Sequence, residues 1–150
     1  MLFVPSYLMP VMADGALNWV AHHVDQATVW VELVNGKLKA RVSEEQLLNF
    51  VTCGPIVQEV LQGLGRTPAS DAFREAFLSL PVLSDPLPIT LFLSASDIYR
   101  LGRSKGHTIR SSIDCLVAAI AIENDVPVWH RDRDYDAIAR FTALRSTRAT

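Results

Sequence analysis

Residues 110–141 read R-S-S-I-D-C-L-V-A-A-I-A-I-E-N-D-V-P-V-W-H-R-D-R-D-Y-D-A-I-A-R-F. Ser111 or Ser112 suits a helix N-cap, because a short hydroxyl side chain can accept from an N–H of the first turn that has no helical partner. Ile113, Leu116, Val117, Ile120 and Ala121 then recur at the spacing of one helical face. Asn124 can close that helix in a left-handed conformation, and residues 126–130 (V-P-V-W-H) predict a short buried strand. A turn rich in Asp and Arg follows, and then a helix near residues 135–141.

Upstream the same alternation continues. Apolar and β-branched residues between Val24 and Val34 predict a buried strand running into a helix. Ser43-Glu44-Glu45-Gln46 is a capping box, so a helix is expected from Glu44 to about Phe50. Gly54-Pro55 opens another helix, with Gly63 and Gly65 at its end. Ser70 is the expected cap of a helix reaching Leu80, stopped by Pro81, and a longer helix runs from about Thr90 to Gly106. Helices alternating with short apolar strands predict an α/β fold, a central parallel sheet covered by helices on both faces. Residues 1–21, with no clear period and with Met9 and Met12 as later possible starts, are expected to be an N-terminal tail, and residues 22–150 the domain.

The chain has 150 residues, 49% hydrophobic and 20% charged, which suits one globular domain with a real core and excludes a disordered polar chain. Its longest apolar run, residues 115–122, is far short of the roughly 20 residues that span a bilayer, so no membrane association is expected. The apolar N-terminus lacks a basic start and is broken by Pro5 and Pro10, so a cytoplasmic location is expected. Cys53 and Cys115 cannot build a disulfide framework or a structural zinc site. Residues 1–99 carry five Lys or Arg against ten Asp or Glu, whereas residues 100–150 carry nine against six. A polyanionic ligand would therefore have to be met locally or through a metal.

Acidic residues stand where a fold has little structural use for them. Asp25 lies beside an apolar strand, Glu59 among apolar helix residues, Asp114 at a helix start, and Asp132 and Asp134 directly after a strand. In a parallel sheet these positions can converge at the carboxyl ends of the strands. Two carboxylates about 4 Å apart repel by roughly 4 kcal/mol at an effective dielectric near 20, so such a cluster needs protons or cations. With few His or Cys partners, carboxylate oxygens suit Mg²⁺ or Mn²⁺, ions that bind phosphate oxygens and activate water; phosphodiester hydrolysis is the reaction expected. Each acid also has a bland role: Asp114 as a helix-dipole partner, Asp132 and Asp134 in a solvated turn with Arg131 and Arg133, Glu59 in a surface ion pair, Asp25 at a wet strand end. Arg100, Arg103, Lys105 and Arg110 form either an ordinary solvated face or a track for phosphates.

The run quoted at the outset resembles the C-terminal half of a PIN-domain ribonuclease of the VapC toxin type. P-I-V-Q-E-V-L-Q-G at residues 55–63 is similar to that family's Glu-containing helix, and V-D-Q-A-T-V-W at residues 24–30 to its first strand, here one residue longer than the usual Asp-Thr-Ser-Val-Trp. The resemblance implies a PIN-like α/β/α sandwich, with Asp25, Glu59, Asp114 and Asp132 as the acidic quartet that holds Mg²⁺ or Mn²⁺. It further implies Asp134 as an auxiliary acid and Thr28 as the hydroxyl residue near the first Asp. Arg100, Arg103, Lys105, Arg110 and Arg131 would meet the RNA. The implied partners are RNA, a second copy of the chain, and a small DNA-binding antitoxin of the VapB type. Competing readings are another Mg²⁺-dependent phosphate hydrolase, a PIN-like binding domain without catalysis, and a binding module of unrelated fold. A receiver domain would need a late Lys, and the last here is Lys105; a haloacid-type phosphatase would need Asp-x-Asp after the first strand, where Asp25-Gln26-Ala27 stands.

Overall fold

Strands β1 (Trp19–Ala21), β2 (Phe50–Cys53), β3 (Val82–Leu83), β4 (Val128–His130) and β5 (Ser146–Arg148) form one sheet in the order β3-β2-β1-β4-β5. All four pairings are parallel, with Trp19 opposite Phe50, Val20 opposite Val128 and Trp129 opposite Thr147. These coordinates are a computed structural model that describes residues 19–21 and 50–148. Parallel neighbours need long crossovers, and helices supply them. They are α1 (Gly54–Gly63), α2 (Pro68–Leu78), α3 (Ile89–Ser104), α4 (Ser112–Glu123) and α5 (Arg133–Ala139). The α/β architecture with a parallel sheet expected from the sequence is the one observed. No helix among the described residues is long and apolar enough to cross a membrane.

The core follows from burial on both sides of the sheet. Phe50, Val51, Thr52 and Cys53 are all buried, as are Val128, Trp129 and His130, which is why these strands read as continuous rather than alternating runs. The Phe50 and Trp129 rings meet across the sheet, 5.5 Å between centroids. Helix α4 is enclosed from residue 114 to residue 121, and its most extensive partner is α3. Small Ala118, Ala119 and Ala121 let neighbouring backbones approach it, while Leu116, Val117 and Ile120 each contribute about 1.5–3 kcal/mol of burial. On α3, Gly102 serves the same closeness: a Cβ there would lie 2.9 Å from the Phe141 ring and 3.3 Å from Ile109.

Several sequence expectations change in detail. Thr67, not Ser70, caps α2: its Oγ accepts from the Ser70 N–H at 3.1 Å, and Pro68 occupies the first turn. After α4 the left-handed residue is Asp125, with φ 50°, rather than Asn124, whose φ is −92°. Asn124 instead turns its amide onto the Ile120 carbonyl at 2.8 Å. Phe50 opens a strand, and the segment expected to be a tail places Trp19–Ala21 between β2 and β4. The strand and helix expected between Val24 and Phe50 lie outside the described residues, apart from Phe50 itself.

Strand order sets the location of chemistry. From β1 the sheet grows one way through β2 and β3 and the other way through β4 and β5. The order reverses between β1 and β4, and in open parallel sheets ligand sites collect at the carboxyl ends of the strands where it does so.

Candidate metal centre

Strand β4 ends at His130, and the chain turns at once into α5. Asp132 caps that helix, its Oδ1 accepting from the Asp134 N–H at 2.8 Å. This local bond fixes the Asp132 carboxylate just beyond the end of β4. Asp114 arrives from the first turn of α4, where the positive end of the helix favours an acid. One oxygen from each of Asp114, Asp132 and Asp134 lies within 4.8 Å of the others. Asp114 is fully buried, Asp134 is 2% exposed, and the Asp132 side chain keeps 11% of its surface in solvent.

At 4.8 Å and an effective dielectric near 20, each pair of full charges repels by about 3.5 kcal/mol. The chain itself supplies part of the compensation. The Arg110 guanidinium reaches Asp132 Oδ1 at 2.6 Å and Asp134 Oδ1 at 3.3 Å, and the Arg110 backbone N–H donates to Asp134 Oδ2 at 2.9 Å. Asp132 first, and Asp134 next, hold this guanidinium above its ordinary pKa. Three carboxylates against one guanidinium leave two formal negative charges, the charge that a divalent cation neutralises.

The donors fit such an ion chemically as well. They are hard carboxylate oxygens, they converge from separate elements, and the cluster opens to solvent only at Asp132. Neither cysteine joins them. Burial pushes the thiols of Cys53 and Cys115 up to about 12, so both remain protonated, and neighbouring acids add to the effect: Glu59 at Cys53, Asp114 and Asp134 at Cys115.

Glu59, expected to complete the acidic set, is not among the acids that meet within 4.8 Å. It projects from α1 into a groove of about 370 Å³ lined by Gly54, Pro55, Gln58, Gln62, Leu87, Phe92, Ile113 and Leu116. Its charge is felt by the buried Tyr135 hydroxyl, whose pKa is held well above the ordinary 10.0 by burial first and then by Asp114, Cys53, Glu59 and Asp132. Arg100 and Arg103 are exposed on α3, Lys105 is exposed at its end, and Arg131 is exposed after β4. Asp25 and Thr28 lie outside the described residues.

Two features escaped the sequence reading. Arg110 is a counter-charge bound to the acids, a role that depends on contacts 22 and 24 residues away. Behind the cluster, buried His130 places Nε2 3.6 Å from Asp136 Oδ1, and Asp136 pairs with Arg148 of β5 at 3.0 Å. The alternation of Asp132, Asp134 and Asp136 was the available signal that successive acids face different partners.

A family model described as PIN domain matches residues 26–141, beginning one residue after Asp25. VapC ribonuclease Mb1587 of Mycobacterium bovis is 35% identical over 125 residues, which cover 79% of this chain and 92% of that protein. Ribonuclease VapC11 of Mycobacterium tuberculosis is similar to the same extent.

Proposed function

Because the chain belongs to the PIN-domain family, in its group of VapC-type ribonucleases, we propose that it hydrolyses RNA phosphodiester bonds at the carboxylate cluster as a metal-dependent endoribonuclease toxin. The convergence of Asp114, Asp132 and Asp134 within 4.8 Å carries the reading. These three residues would hold a divalent cation, Mg²⁺ or Mn²⁺, with Glu59, and Asp25 by its place in the sequence resemblance, completing the acidic set. When bound, that ion supplies a Lewis-acid contact to a phosphate oxygen and lowers the pKa of an attacking water.

The protein's own groups perform the remaining tasks. Asp114, held in an enclosed helix, would set where the ion sits and, through it, where a phosphate oxygen is met. Glu59, in the groove's lining, would accept the proton of the attacking water. Arg110, half exposed, would exchange a carboxylate for a phosphate oxygen as the substrate arrives, an exchange its fork-shaped guanidinium suits. Arg100, Arg103, Lys105 and Arg131 would guide the flanking backbone, and Thr28 would contact it near the first Asp. In this reading the chain acts in the cytoplasm, pairs with a second copy, and is covered by a small VapB-like DNA-binding antitoxin.

An RNase assay in Mn²⁺ comparing the parent with Asp114→Asn tests the proposal. Loss of at least about 10²-fold in kcat is expected for removal of a ligand's charge, given what metal and electrostatic stabilisation supply. Equal cleavage by both proteins would overturn the assignment.

A further inference from the structure

The groove beside Glu59 is built differently from the carboxylate cluster. One wall is α1, where Gln58 and Gln62, four residues apart, stand on the same face with exposed side-chain amides. The opposite wall is apolar: Leu87, Leu116, and Phe92 with 45% of its surface exposed. Ile113 lines the groove and is followed directly by Asp114, and Glu59 lines it too, so the groove adjoins the acidic centre. An exposed aromatic face, two amides that can both donate and accept, and continuity with a phosphate-handling site have one common ligand chemistry.

We infer that this groove is a base subsite: it takes one unpaired nucleobase next to the scissile phosphate, stacked on Phe92 and edge-bonded by Gln58 and Gln62. The inference rests on the nuclease reading above. A base held here would stand on the Glu59 side of the cluster and fix which linkage enters it, so the groove selects the cut position. Selection is strongest for single-stranded loops, where a base is free to leave its neighbours.

Steady-state cleavage of a short single-stranded RNA in Mn²⁺, by the full chain, tests this. Phe92→Ala should raise KM about ten-fold, equivalent to about 1.4 kcal/mol and in keeping with the loss of one stacked base. Phe92→Tyr should restore the parental value. Gln62→Ala should alter the base preference at the cut. Leu93→Ala, at a residue more exposed than Phe92 but outside the groove, should match the parent. If Asp114→Asn silences cleavage while Phe92→Ala keeps the parental KM and cut pattern, the base subsite is overturned and the nuclease reading stands. A parent that cuts no RNA overturns both. A Phe92→Ala protein with parental KM that escapes inhibition by an antitoxin would give the groove to a protein ligand, and that too overturns the inference.

Discussion

Replacing Asp114 by Asn removes one buried negative charge while keeping the side chain's shape, and the stability this gains without metal should shrink or reverse once metal is bound. In the metal-free protein, Asp114 lies within 4.8 Å of two other carboxylates. Each fully charged pair costs about 3.5 kcal/mol at an effective dielectric near 20. Arg110 already offsets part of this, and loss of the acid from the first turn of α4 gives back about 0.3–1 kcal/mol. A net gain of about 1–3 kcal/mol is expected for the metal-free variant, a rise of a few to about 10 °C in Tm for a domain of this size. Mn²⁺ at a hundred times its Kd should stabilise the parent by about 2.7 kcal/mol and the variant by far less. Thermal unfolding in EDTA and in Mn²⁺ reads both effects. A variant less stable than the parent in EDTA, together with a parent indifferent to Mn²⁺, would refute the reasoning.

Other perturbations probe the fold around the centre. Gly102→Ala gains about 1 kcal/mol of helix propensity but forces a Cβ to 2.9 Å from the Phe141 ring, so a net loss of about 1 kcal/mol is expected in urea unfolding; adding Phe141→Leu should reverse the sign. Thr67→Ala removes the cap of α2 and should cost about 1 kcal/mol by the same measurement. Cys53 and Cys115, with thiols pushed up to about 12, should resist a thiol reagent at pH 8 in the native protein and react together once it unfolds. Tyr135 and both thiols bind their protons more tightly when folded than when unfolded. Stability is therefore intact below about pH 9 and falls as pH rises above the ordinary values of 9.0 and 10.0; alkaline denaturation followed by far-UV circular dichroism checks the direction.

What the sequence made legible depended on how much of each element's logic is local. Helix α4 and strand β4 stand out because their apolar residues are dense and bounded by capping and turn residues. The rule that parallel sheets gather function at carboxyl ends put Asp25, Glu59, Asp114, Asp132 and Asp134 on one rim; of these, Asp114, Asp132 and Asp134 share the cluster, Glu59 does not, and Asp25 lies outside the described residues. Strand β2 was hidden because F-V-T-C is four residues long and abuts the Gly-Pro start of α1. Strands β3 and β5, V-L and S-T-R, are too short or too polar to show a period, and only pairing with their neighbours defines them. The cap of α2 went to Thr67 because Pro68 can begin a helix but cannot donate to a residue before it. Arg110 reads as one of several basic residues, and only the folded chain brings it onto Asp132 and Asp134.

That guanidinium gives the acidic centre a resident place-holder. Because its charge comes with the polypeptide, the domain can reach its folded state before any ion has been acquired, and chelation should switch off chemistry reversibly instead of collapsing the fold. Loading then adds the ion beside that guanidinium, so the affinity for metal should follow the two negative charges that Arg110 leaves uncompensated.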